Sequence, residues 1–281
     1  RLSLVGSEMC IRDSARAVLV FDFDHSLIDS NSDAAVPEAL DRSGDIRGFM
    51  RATRASMPWN AMMGAIFERL HAAGVTADEV RAAVRALPIH PGMLAAAREA
   101  AATPGVRVAI LSDANDVFIG ELLAAHDLTR IIAPVVTNPA HFEGERLVIE
   151  PFVPYLRTPH GCPRRSPECP PNMCKGAIMR EVLRLSASAR AAAASACGGG
   201  GADKPSDATE ATALRPRVLY VGDGGGDFCA VMELGRCVSL LRGERTAPPR
   251  ASLPFWRGTC YLPCAAAISP VLDAAFRCWR H

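Results

Sequence analysis

Apolar residues in this chain follow two patterns that alternate along it. The first is the short unbroken run Ala17-Val18-Leu19-Val20-Phe21, the composition of a strand buried on both faces of a parallel sheet, and it ends at Asp22. Val106-Arg107-Val108-Ala109-Ile110-Leu111 repeats it after the turn signal Pro104-Gly105 and ends at Ser112-Asp113. Arg217-Val218-Leu219-Tyr220-Val221 repeats it again and runs into Gly222-Asp223-Gly224-Gly225-Gly226-Asp227. The second pattern has helical spacing. It passes through Ala39-Leu40, Ile46-Phe49-Met50, Met62-Ile66-Leu70 and Val80-Val84-Leu87, with breaks at Pro58, Gly74 and Pro88. Further helices are predicted from about Val117 to Ala125, from Lys175 through Ile178, Val182 and Leu185, and through Val231 and Leu234. Ile131–Val136 reads as a short strand, Phe142-Glu143-Gly144 into Leu147-Val148-Ile149 as a hairpin, and Cys237–Leu241 as a last strand.

Strands alternating with helices predict an α/β fold with a doubly wound parallel sheet, in which ligands bind beyond the carboxyl ends of the strands. The three acid-bearing turns stand at those ends. Residues 34–91 are expected to be a helical cap inserted after the first strand, with 17–33 and 92–281 forming the core. Residues 1–16 lack periodicity and read as a disordered or artefactual leader. The Ala/Ser/Gly-rich residues 186–213 read as a low-complexity inserted loop, and the tail, with Trp256, Tyr261 and an Ile268–Phe276 helix, is expected to pack back on the core.

Composition narrows the class. Of 281 residues, 49% are hydrophobic and 22% charged, with a formal net charge of +1, so neither nucleic acid nor a membrane surface is indicated as partner and a small molecule is. No stretch approaches the ~18 apolar residues of a membrane span, and no secretory pattern precedes Ala17, which reads as a cytoplasmic protein. The ten cysteines are too irregular for a disulfide scaffold. His160, Cys162, Cys169 and Cys174 cluster with one, six and four residues between them, which does not match the paired spacing of zinc sites, and a Pro-rich loop is the reading preferred there.

The strand ends carry the chemistry. Asp22 and Asp24 place two carboxylates at one mouth, a costly arrangement unless a cation or proton neutralises them, and Mg2+ meets that need while bridging to a phosphate. Asp223 and Asp227 are candidate further ligands. Ser112 suits a phosphate oxygen as donor, and Lys175 offsets charge. Taken singly, each has a plainer reading as a turn, a helix cap or a solvated residue. Their order along successive strand ends is what independent turns do not readily produce.

These strings resemble the haloacid dehalogenase superfamily. Phe21-Asp22-Phe23-Asp24-His25-Ser26 looks like its first motif, Ile110-Leu111-Ser112-Asp113 the second, Lys175 the third and Gly222–Asp227 the fourth. More narrowly, Asp29-Ser30-Asn31-Ser32-Asp33, Ser112-Asp113-Ala114-Asn115 and Cys169-Pro170-Pro171-Asn172-Met173-Cys174-Lys175 are similar to the phosphoethanolamine/phosphocholine phosphatases, a family that includes pyridoxal-phosphate phosphatases. The resemblance spans about Val18 to Leu241 and implies a Rossmann-like core with a small helical cap. It implies Asp22 as nucleophile, Asp24 as general acid and base, Mg2+ on Asp22, the Asp24 backbone carbonyl and Asp223 with support from Asp227, and Asp33 and Asp113 near a cationic leaving group. Trp59 is a candidate cation–π face for that group. His25, Ser26 and the long Cys162–Cys169 interval depart from the family pattern.

The expected activity is hydrolysis of a small phosphomonoester through an aspartyl phosphate. Pyridoxal phosphate, pyrophosphate or thiamine phosphate are alternative substrates, and a non-catalytic phosphate-binding scaffold is a distant alternative class. A phosphonate-cleaving relative would want a cap lysine, and Ala34–Leu87 contains none.

Overall fold

The computed structural model describes residues 17–154, 160–162, 164, 169–181, 217–234, 238–242 and 259–262, the last two stretches as backbone. The leader, the 186–213 segment, Val182, Leu185, Trp256 and the Ile268–Phe276 helix of the sequence reading lie outside the described residues. The run at Ala17–Phe21 forms β1, followed by helices α1 (Ser32–Leu40), α2 (Ile46–Thr53), α3 (Trp59–Ala72), α4 (Ala77–Arg85) and α5 (Pro91–Ala102). Then come β2 (Val106–Asn115), α6 (Asp116–Ala125), β3 (Ile132–Asn138) and a hairpin of β4 (Ala140–Glu143) and β5 (Arg146–Ile149). Helix α7 covers 175–181. After it stand β6 (Arg217–Gly222), α8 (Phe228–Leu234), β7 (Val238–Arg242) and β8 (Thr259–Leu262).

Six strands form a parallel sheet in the order β3-β2-β1-β6-β7-β8. The unbroken apolar runs follow from burial on two sides. Leu19, Phe21, Val108, Ile110, Leu219 and Val221 join one core cluster, and the residues between them, Val18, Val20, Ala109, Leu111, Val218 and Tyr220, join another on the opposite face. Residues of α3–α6 pack with the first cluster, Met179 of α7 and Ala230, Val231 and Leu234 of α8 with the second. The sheet is therefore wound on both sides, as the alternation of patterns predicted.

Helices α1 to α4 occupy the interval between β1 and the approach to β2. Where the chain enters and leaves this insertion, Ile28 bridges Ile89, and Asp29 N donates to Pro88 O at 2.8 Å. Helix α1 starts at Ser32, two residues before the expected start of the cap, because the Asn31 side chain accepts from Ala34 N and caps it. Helix α4 starts with a capping box between Thr76 and Glu79. Among the described residues no helix is long and apolar enough to cross a membrane.

Candidate active site

Strand register fixes where the acids meet. Phe21 lies level with Ile110 on one neighbour and Val221 on the other, so Asp22, Ser112 and Asp223 all emerge at the carboxyl edge of the three central strands. Directly after β1 the chain makes one tight turn. Leu27 N donates to Asp22 O and Ile28 N to Phe23 O, and His25 sits at φ +51°, the left-handed region that residues other than glycine seldom occupy. Asp24 Oδ1 accepts from Ser32 N at 2.7 Å, which ties the turn to the start of α1.

Lys175 is 1% exposed and holds the site's inner layer. Its Nζ lies 2.8 Å from Asp22 Oδ2, 2.9 Å from Asp227 Oδ1 and 3.6 Å from Asp113 Oδ1. Asp227 is saturated: Oδ1 also accepts from the Tyr220 hydroxyl at 2.6 Å, and Oδ2 from the backbone N–H groups of Asp223 and Gly224. Burial works to raise its carboxyl, but Lys175 and these donors outweigh it and hold Asp227 below the ordinary value. Burial works to lower the Lys175 amine, and the charges of Asp22 and Asp227 more than reverse it. Asp22 is raised, first by its own burial, with Lys175 opposing and Asp227, Asp113 and Asp223 adding to the rise. Gly222 is required here, because a Cβ at that position would overlap the Asp227 carboxylate.

A second group of acids stands on the cap side. Asp33, in the first turn of α1 and 5% exposed, accepts from Trp59 Nε1 through Oδ2 at 2.6 Å, while its Oδ1 is buried with no hydrogen-bond partner among the described residues. Burial first, then the charge of Asp33, lifts Asp24 to about 8, and burial lifts Asp33 to about 7 despite the Trp59 hydrogen bond. Ser112 is fully buried, and its Oγ accepts from Ala114 N at 3.2 Å, which leaves its O–H to donate. All eight acids, hydroxyls and amines singled out in the sequence therefore lie at one edge of the sheet, in two linked groups.

The Asp33 shift has a testable sign. A carboxyl whose folded value, about 7, lies above its ordinary 3.8 contributes stability that is full below 3.8 and lost as pH rises through 7. Asp33→Asn removes that loss, which is on the order of 4 kcal/mol at pH 8. The variant is expected to melt several degrees higher than wild type at pH 8, with the gain shrinking towards pH 5. A gain that does not change with pH would place the cost of this side chain outside its ionisation.

Carboxylate oxygens of Asp22, Asp223 and Asp227 lie within 4.8 Å of one another. Asp223 is half-buried and lifted to about 7, by burial first and then by the charge of Asp227. With one ammonium among these acids, the donor set is hard, oxygen-based and short of positive charge, which fits a magnesium ion. Two participants escaped the sequence reading. Tyr220 was one more apolar strand residue, though a buried tyrosine hydroxyl always needs a partner. Asn138 has no local signature: its Nδ2 donates to Asp113 O and Ala114 O, and its Oδ1 accepts from Asn172 Nδ2, which binds the end of β2 to the segment leading into Lys175.

Comparison with known proteins gives concordant matches. The family described as Putative Phosphatase matches residues 17–203. Inorganic pyrophosphatase 2 of Arabidopsis thaliana is 31% identical over 85% of this chain and 72% of its own length. A thiamine phosphate phosphatase-like protein of the same plant is 30% identical over 86% of this chain and 84% of its own. Pyridoxal phosphate phosphatase PHOSPHO2 of Mus musculus is 30% identical over 86% of this chain and 85% of its own.

Proposed function

Because this chain belongs to the family described as Putative Phosphatase, and its strand-end motifs resemble those of the haloacid dehalogenase superfamily, we propose that it cleaves a small phosphomonoester with a positively charged leaving group, such as phosphoethanolamine or phosphocholine. The observation that carries the substrate reading is the buried, unpartnered Oδ1 of Asp33 beside Asp24. A buried carboxylate oxygen without a donor is costly, and a cationic group brought by the substrate removes that cost.

The residues fit a two-step transfer. A carboxylate oxygen of Asp22 forms a bond to phosphorus while the bond from phosphorus to the leaving oxygen breaks, and Asp24 gives that oxygen its proton. An Asp24 carboxyl lifted to about 8 carries that proton at neutral pH. Water then attacks the phosphoryl group, its proton passes to Asp24, and phosphate leaves Asp22 as a free carboxylate. Lys175 and the Ser112 hydroxyl face the negative phosphoryl oxygens. Asp22, Asp223 and the Asp24 backbone carbonyl would hold Mg2+, which supplies further neutralisation of those oxygens. Asp227, with both oxygens committed, acts by keeping Lys175 and the Asp223 backbone in place.

The names of the relatives support a second reading, thiamine phosphate or pyridoxal phosphate as substrate. Both present a cationic or protonatable ring to the same carboxylates and to Trp59. Pyrophosphate, suggested by another relative, would place an anion against Asp33 and Asp113, so it is disfavoured on charge. Phosphate release from phosphoethanolamine, phosphocholine, thiamine phosphate, pyridoxal phosphate and pyrophosphate, with and without Mg2+, tests these readings. For wild type the cationic esters are expected to lead. In Asp33→Asn their kcat/KM is expected to fall roughly 10- to 100-fold while pyrophosphate is spared. An equal loss on every substrate would remove Asp33 from leaving-group recognition.

A further inference from the structure

On the face of the sheet opposite the cap, three cysteines that the sequence groups loosely are joined by one it does not. The sulfur atoms of Cys162, Cys169, Cys174 and Cys229 all lie within 4.8 Å of one another, with Cys162 and Cys229 at 3.6 Å. None of the four is in a disulfide, and Cys174 and Cys229 are buried while the other two are partly so. Four thiolates around one ion at a bond length of about 2.3 Å stand roughly 3.8 Å apart, close to this arrangement before any contraction. We propose that these four residues bind one zinc ion as a tetrahedral tetrathiolate.

Surrounding groups are arranged for such a ligand set. Ala177 N points at Cys174 Sγ at 3.4 Å, the backbone donor that a bound thiolate accepts from. Gly176 lies against Cys229 so closely that a Cβ there would come within 2.5 Å of the Cys229 carbonyl oxygen, so only glycine lets the two segments meet. His160 stands outside this four-sulfur set. Its Nε2 lies 2.7 Å from Pro170 O, a carbonyl that only accepts, which assigns the ring N–H to that hydrogen bond. The sulfur set selects a soft, thiophilic ion, whereas the carboxylates at the strand ends select a hard one, so the two sites do not compete for the same metal. The segments that the ion joins are those carrying Lys175 and Asp227, one residue after Cys174 and two before Cys229.

The test uses the full-length protein, purified without chelator, and reads metal rather than turnover. Elemental analysis is expected to give about one zinc per chain, and exchange with Co2+ to give the intense visible bands of a four-sulfur tetrahedral site. Titrating wild type with a mercurial thiol reagent should release that zinc to a chromogenic chelator. Cys229→Ser should lose zinc on dialysis, or show a three-sulfur cobalt spectrum. Zinc well below one per chain with no cobalt bands, iron in its place, or a Cys162–Cys229 disulfide found by peptide mapping would each overturn the proposal. None of these readouts depends on phosphatase activity, so a failed substrate screen leaves them unaffected.

Discussion

Asp22→Asn is expected to lower phosphate release at least about 10,000-fold, because an amide cannot serve as the nucleophile that carries the phosphoryl group. The change should leave the protein folded. The amide oxygen keeps the hydrogen bond from Phe23 N, Lys175 keeps Asp227, and the substitution removes a carboxyl that burial and three neighbouring acids already disfavour as an anion. Single-turnover phosphate release together with a thermal melt separates the two effects. Turnover within about 100-fold of wild type in a protein with an unchanged melt would take Asp22 out of the nucleophile's role.

Lys175→Met should damage both activity and stability. Removing the ammonium leaves Asp22 and Asp227 buried with no counter-charge, and breaking a buried pair from one side costs about 3–5 kcal/mol. At the sensitivity of a domain of this size, that is a fall in melting temperature of roughly 10 °C. The sign of the pH response follows from Asp227. In wild type its carboxyl is held below 3.8, so its contribution is present above that value and lost as pH falls through the lower one. Without Lys175 that contribution is absent throughout, and the gap between variant and wild type should therefore narrow below about pH 4. A melt within 2 °C of wild type at pH 7 would show that the ammonium does not sustain the acid layer.

Much of this site was legible because buried parallel strands advertise themselves as continuous apolar runs, and the first one or two residues after each run stand at the carboxyl edge of the sheet. Asp22, Ser112 and Asp223 were found in that way. Other features lack a local signature. Strand β2 continues to Asn115, past the Ser112-Asp113 expected to end it, because Asn115 pairs with Asn138 and the Asn138 side chain holds the intervening carbonyls. Helix α5 is rich in alanine and gives no apolar stripe, although Pro91 at its first turn was a usable start signal. Strand β8, at Thr259–Leu262, was read only as part of a tail. Cys229 and Cys162 are 67 residues apart, and Tyr220 meets Asp227 across a turn whose shape the glycines decide. Such partnerships belong to the tertiary fold and leave no periodic trace.

The crossing at Ile28 and Ile89 separates two inheritances. Since the outgoing and returning chain are clasped to each other there, whatever is spliced between them meets the sheet across the same short gap. The helices between them hang from that clasp, whereas Asp22, Ser112 and Asp223 stand on the strands outside it. Asp33 lies only five residues beyond that clasp, so replacing the helices at the clasp replaces this carboxylate, while replacing them a turn further in leaves it behind.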